Sequence, residues 1–143
     1  MPYHVMTPEQ RAAFLRAPVR AAIVSTTRAD GRPHAAPVWI ELDGDDVVFN
    51  TGADTLKGKN LARDPRLTIC VQDDQPPFSF VSMEGTAELI DDLEQVRTWA
   101  ARIGGRYMGA DRAEEYGARN GVAGELLVRV HVDKALGLAD VSD

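Results

Sequence analysis

Apolar and polar positions along the 143-residue chain change period several times, and each change marks a predicted element. Thr7-Pro8-Glu9-Gln10 opens a helix: Thr7 can cap, Pro8 suits the first helical position and Gln10 completes a capping box. Phe14 and Leu15 form its apolar side before Pro18 stops it. Residues 20–27 are small or β-branched and read as a strand, followed by a tight turn at Asp30-Gly31. Residues 33–42 predict a second strand. Pro37 inside it cannot donate to a ladder, so this strand is expected at an edge, at a bulge or facing something other than a strand. Asp43-Gly44-Asp45 turns the chain into a third strand at 47–51. Leu56, Asn60 and Leu61 then recur at helical spacing behind the caps Asp54 and Thr55, until Asp64-Pro65 ends the helix.

The second half repeats the alternation. Residues 66–72 and 78–90 predict strands separated by a loop at 73–77, and Gly85 suggests a bulge within the longer one. Asp91 or Asp92 caps the main helix, whose Leu93, Val96, Trp99, Ala100 and Ile103 form an apolar stripe. Gly104-Gly105 is expected to end or kink it. A polar helix over 110–119 and a final strand pair at 125–132 and 135–140 complete the pattern. Six or seven short strands with helices between them predict a mainly β fold with flanking helices, an antiparallel barrel forming a single domain over residues 1–143.

Composition narrows the function. The chain is 44% hydrophobic and 27% charged, the balance of an ordinary globular protein. Sixteen basic against twenty-two acidic residues give −6, which argues against nucleic acid as a partner. No uncharged apolar run approaches the ~18 residues a membrane span needs. The first sixteen residues lack the pattern of a secretory leader, and the single Cys70 excludes an internal disulfide framework. A cytoplasmic, reduced protein is therefore expected.

Most catalytic signatures are missing. There is no GxSxG elbow, and His4, His34 and His131 share no metal-ligand spacing, so no metal site is expected. Cys70 sits between Ile69 and Val71 in a strand, where thiols are usually inert, and Glu84 alone does not make an acid–base pair. Any redox chemistry here has to come from a cofactor.

One junction stands out. Of sixteen basic residues only Lys57, Lys59 and Lys134 are lysines, and two of them follow a strand and Gly52 at a helix start. A helix N-terminus offers unpaired N–H groups and a positive dipole end to an anion. The stretch fails the Walker pattern, since Lys57 stands where the second glycine belongs. Lys57 and Lys59 lie two apart and do not share a helix face, so one can meet an anion while the other reaches elsewhere; two solvated lysines are the alternative. Pro37-Val38-Trp39 and Pro76-Pro77-Phe78 add flat apolar surfaces suited to a planar ring.

Four stretches carry a family likeness: Gly31-Arg-Pro-His-Ala-Ala-Pro-Val-Trp39, Val48-Phe-Asn-Thr51, Lys57-Gly-Lys-Asn-Leu-Ala-Arg-Asp-Pro-Arg66 and Val81-Ser-Met-Glu-Gly-Thr-Ala-Glu88. Together they resemble the pyridoxamine 5′-phosphate oxidase-like superfamily, and within it the branch using the deazaflavin F420, the B group of flavin/deazaflavin oxidoreductases. The resemblance implies a split β-barrel of the FMN-binding type, paired into a homodimer with cofactor sites between protomers. It implies that Lys57, Lys59 and Asn60 hold the cofactor phosphate, with Asn50 and Thr51 near the linking chain. Pro37, Val38 and Trp39 would lie under the ring, and Phe78 would approach from the rim. It further implies hydride transfer from reduced F420 to a conjugated or quinone-like small molecule, with FMN as the alternative cofactor. F420 also carries an acidic oligoglutamate tail, which Arg63 or arginines after Asp91 could meet. Relatives on the same scaffold bind FMN or tetrapyrroles, so a non-catalytic carrier is the competing expectation.

Overall fold

The computed structural model describes residues 3–143. Among these, eight strands and four helices follow in the order β1 (His4–Val5), α1 (Pro8–Arg16), β2 (Ala22–Thr27), β3 (Pro33–Val38), β4 (Glu41–Asp43), β5 (Asp46–Gly52), α2 (Leu56–Arg63), β6 (Arg66–Gln72), β7 (Phe80–Ile90), α3 (Leu93–Met108), α4 (Ala113–Asn120) and β8 (Glu125–Ala139). Every pairing is antiparallel, in the spatial order β3-β2-β6-β7-β8-β5-β4, with the short β1 added to the end of β8.

The outer strands of that path, β3 and β4, are consecutive in sequence and joined by Trp39 and Ile40 alone. Three Cα–Cα steps reach at most about 11 Å, so the two edges of the sheet must lie close together. The sheet therefore curls on itself into a split barrel. Its interior is filled by Val24, Ile40, Phe49, Leu61, Ile69, Val81 and their neighbours. A second, smaller core lies outside the barrel, where Val96, Trp99 and Ile103 of α3 pack on Val48 and Leu127.

Several local expectations hold for identifiable reasons. Thr7 and Gln10 form the reciprocal capping box, with bonds of 2.8 and 3.1 Å. Pro37 lies on an edge strand, since β3 pairs only with β2. Asp92, rather than Asp91, caps α3. The stripe of α3 is buried within this chain except for Leu93, which is exposed.

Other boundaries move. The strand expected over 33–42 is two strands, because the chain crosses from one sheet edge to the other at Trp39-Ile40. The strand expected from Phe78 begins at Phe80, because Phe78 has φ 63° and closes a turn onto the Gln75 carbonyl. The final strand pair is one continuous strand. Glu84 faces Lys134 while Gly85 faces Val132, so Asp133 is an extra residue bulged out of β8. The sharp bend there suits Gly85, where a Cβ would lie 2.5 Å from the His131 carbonyl oxygen. Beside this bend His131 bridges Asp46 at 3.2 Å and Glu88 at 2.9 Å, tying β5, β8 and β7. The Glu88 hydrogen bond, aided by Asp46, raises the His131 pKa above its usual value.

Gly104-Gly105 neither ends nor kinks the main helix, which runs on to Met108. A Cβ on Gly104 would lie 2.1 Å from Cβ of Tyr116, so this glycine lets α4 approach α3. Gly117 and Gly121 serve the same contact from the other side, against Ala101 and Arg97. Gly104→Ala should therefore destabilise the protein by about 1–3 kcal/mol, as overpacking of a tight contact does, although alanine is the better helix former. Chemical denaturation checks this; an unchanged or higher midpoint would refute the close-approach account.

Candidate functional site

A cleft of about 400 Å³ opens where β3, the β5–α2 junction, α3, α4 and the start of β8 converge. Pro37, Val38 and Trp39 form one wall. Trp39 is held flat against Tyr107, with ring centroids 5.0 Å apart and planes 7° apart, and Tyr116 meets it edge-on at 5.7 Å. Each such aromatic contact contributes about 0.5–1.5 kcal/mol beyond area burial, so this wall is rigid.

The clamp behind that wall is polar. The Tyr107 hydroxyl accepts from the Ile40 N–H at 3.0 Å and donates to the Arg20 carbonyl at 2.6 Å. Burial pushes the Tyr107 phenol upward, which keeps it protonated as the donor this clamp requires. Arg106 donates to the Ile40 carbonyl at 2.9 Å, to the Leu15 carbonyl at 2.6 Å and to Glu41 at 3.1 Å. The end of α3 thus grips both the two-residue crossing and the segment after α1.

The opposite wall is the strand-to-helix junction. Thr51 and Thr55 hydroxyls meet at 3.0 Å, and Thr55 bonds the Gly52 carbonyl while accepting the Gly58 N–H. This pins the start of α2 onto the end of β5. Gly58 makes the contact possible, since a Cβ there would sit 2.3 Å from the Gly52 carbonyl oxygen. The N–H groups of Leu56 and Lys57, at the first two helical positions, have no acceptor within the helix. Lys57 projects into the cleft. Asn50 also borders it, and its side-chain nitrogen is buried without a hydrogen-bond partner. A native structure rarely leaves such a donor unused, so a polar ligand group beside Asn50 fits the site.

The structure brings together six of the residues expected from sequence: Pro37, Val38, Trp39, Asn50, Thr51 and Lys57. Three others lie outside this cleft. Lys59 is exposed, because two residues along a helix rotate it about 200° from Lys57. Asn60 is buried on the inner face of α2, where its amide donates to Thr26 at 3.1 Å and accepts from Arg63 at 3.2 Å. Arg63 in turn also donates to the Thr27 carbonyl. Phe78 stands exposed on its turn. Sequence reasoning missed Ile103, Tyr116, Arg119, Asn120 and Glu125, which α3, α4 and β8 deliver. The signal for Tyr116 was the glycine spacing at 104, 117 and 121, which marks two helices in close contact.

A sequence model of the family described as pyridoxamine 5′-phosphate oxidase matches residues 6–136, nearly the whole chain. The chain belongs to the pyridoxamine 5′-phosphate oxidase family. Among solved structures it is similar to the conserved hypothetical protein Rv2991 from Mycobacterium tuberculosis, with 25% identity and a TM-score of 0.81 over 92% of this chain and 83% of that one. An F420 reductase gives 21% identity and a TM-score of 0.72, covering 90% of this chain and 98% of its own. A FAD-binding protein from Mesorhizobium loti gives 14% and 0.72, covering 96% and 98%. At those lower identities the likeness establishes the fold alone. No curated protein sequence matches the chain. The cleft sets the Pro37–Trp39 wall beside Lys57 at the start of α2. Cys70 lies outside the cleft, and partial burial raises its thiol pKa. No helix among the described residues is long and apolar enough to cross a membrane.

The clamp makes a specific prediction for this pyridoxamine 5′-phosphate oxidase family member. Tyr107→Phe keeps the stack on Trp39 but strands the Ile40 N–H and the Arg20 carbonyl, costing about 1–3 kcal/mol. Urea denaturation followed by tryptophan fluorescence measures it. A midpoint within error of the parent would show that the hydroxyl contributes nothing to the crossing.

Proposed function

We propose that the chain is an F420-dependent oxidoreductase that passes hydride from the reduced deazaflavin to a conjugated or quinone-like small molecule. The observation that carries this reading is the convergence of the Pro37–Trp39 wall and the Lys57 junction on one cleft. Its volume falls within the ~300–1,000 Å³ of typical small-molecule sites. When bound, F420 supplies the hydride chemistry that the side chains lack. Lys57 and the first N–H groups of α2 hold the phosphate, while Asn50 and Thr51 border the linking chain. Pro37, Val38 and Trp39 set the plane of the ring, and the clamp from α3 keeps that plane from tilting. Among the described residues Glu125 is the only carboxylate on the cleft and no histidine lines it, so the side chains supply orientation and electrostatics rather than an acid–base pair.

A two-fold dimer belongs to the same reading, as does a cytoplasmic setting. A row of Pro37, Ile23, Cys70, Ser82 and Leu136 crosses five neighbouring strands in register, with Cys70 and Ser82 half-buried and the other three exposed. Ile23 and Leu136 are 45% and 44% exposed, and a largely apolar row of this kind suits burial against a second copy. Pro37 belongs both to this row and to the cleft, so a second copy seated on the row sits beside the site.

Titration with F420 and with FMN, followed by fluorescence, tests the cofactor. Micromolar F420 binding is expected, weakened about 10- to 100-fold in Lys57→Ala by loss of a charge-assisted bond. Tight FMN binding with no F420 signal would replace this reading with a flavin oxidase. F420 binding without consumption of the reduced cofactor, across a panel of quinones, enones and nitro-compounds, would make the protein a carrier. For the assembly, light scattering should return twice the 15.6 kDa chain mass, and a stable monomer would rule out sites between protomers.

A further inference from the structure

The cleft holds one charge of the wrong sign for an anion. Glu125 opens β8, and the ladder sets it opposite Gly52, the last residue of β5. One of its carboxylate oxygens lies 3.7 Å from the point that a Cβ on Gly52 would occupy. The methyl group of Thr55, the cap of α2, lies 3.2 Å from the same point. Carboxylate and cap are therefore at most about 7 Å apart, inside the ~8 Å over which charges act at physiological salt. Gly52 has no side chain to stand between them. Among the described residues Glu125 makes no ion pair, so neither Lys57 nor Arg119, the cations that share the cleft, neutralises it by contact.

A half-buried carboxylate beside the free N–H groups of Leu56 and Lys57 lowers the affinity of any anion held there. The penalty grows with the charge of the ligand. At neutral pH a phosphodiester carries one negative charge, and a phosphomonoester carries about 1.5 to 2. A like charge that acts more strongly on one of two competing ligands creates specificity, even though it weakens both. We infer that Glu125 is a specificity residue that shifts the preference of the cleft from a phosphomonoester toward a phosphodiester. The assignment rests on the phosphate lying at the start of α2, as in the F420 reading, and deepens it. The phosphate of F420 is a diester, and that of FMN is a monoester. At ~7 Å and a dielectric near that of water, each unit of ligand charge costs about threefold in affinity.

The test uses a matched pair of probes: a deazaflavin whose ribityl chain ends in a phosphomonoester, and the methyl phosphodiester of the same molecule. F420 is titrated alongside. Glu125→Gln keeps the size of the side chain and removes its charge. It should tighten the diester about threefold and the monoester about tenfold, read by fluorescence at neutral pH. Both gains should shrink in high salt, to which a change in packing would not respond. Glu125→Thr, neutral and suited to a strand, should give the same bias and replaces the glutamine variant if that one does not fold. Circular dichroism of each variant separates an effect on binding from loss of fold. A gain for the monoester no larger than that for the diester, or weaker binding of both, would overturn the assignment while leaving the F420 reading intact. Failure of the unsubstituted protein to bind either probe would also overturn it, because the phosphate then has no place at α2. Failure to bind F420 while the probes bind would overturn the F420 reading alone, and the pair would still decide the role of Glu125.

Discussion

A two-residue crossing constrains everything else in this molecule. Trp39 and Ile40 carry the chain from one edge of an open seven-strand path to the other, and a span that short forces the sheet to close. The peptide groups of the crossing cannot join a ladder on both sides, so they need partners from elsewhere. Arg106 and Tyr107 provide them, with Ile40 held through both its N–H and its carbonyl. The Arg106 side chain is only 10% exposed, and its neighbour Glu41 sits 3.1 Å away. Removing one partner of such a pair strands a buried charge, so the clamp tolerates little change.

Function inherits that constraint. The residues just before and within the crossing are Pro37, Val38 and Trp39, so the element that closes the barrel is also the wall of the cleft. A wall required for folding does not drift when a ligand leaves. The facing junction is equally fixed, by the Thr51–Thr55 contact and by the close approach at Gly58. Between these two rigid walls, the charged groups Lys57, Arg119 and Glu125 are the adjustable part. On the proposed reading, recognition of ring shape belongs to the scaffold, and recognition of anions to side chains at the rim of the cleft.

Much of the scaffold was legible from local chemistry. The capping box at Thr7, the edge position of Pro37, the turn at Asp30-Gly31 and the helix start at Thr55 each follow from groups within a few residues of one another. What misled was the reading of glycine. Gly104 looked like a helix terminus, yet its conformation is ordinary, and the reason for it is Tyr116, twelve residues away. The break expected between 132 and 135 likewise proved to be one bulged residue, Asp133, inside an unbroken strand. Asn60 shows the same limit. The family resemblance implied a phosphate contact for it, whereas Thr26 and Arg63 occupy both ends of its amide.

By itself the sequence determined the antiparallel barrel, the helix caps and the placement of Lys57 at a strand-to-helix junction. Those conclusions rest on period, capping and composition, all of which act over short stretches of chain. Only the tertiary structure decided which residues face one another across the cleft. It turned Lys57 inward and Lys59 outward, spent Asn60 on α2 packing, and brought Tyr116, Arg119 and Glu125 to a site that no nearby motif announced. The physical reason is that those residues converge through glycine-permitted helix contact and strand register, and both are properties of pairs distant in sequence. A side chain's chemistry is written locally, but its partner is chosen by the fold.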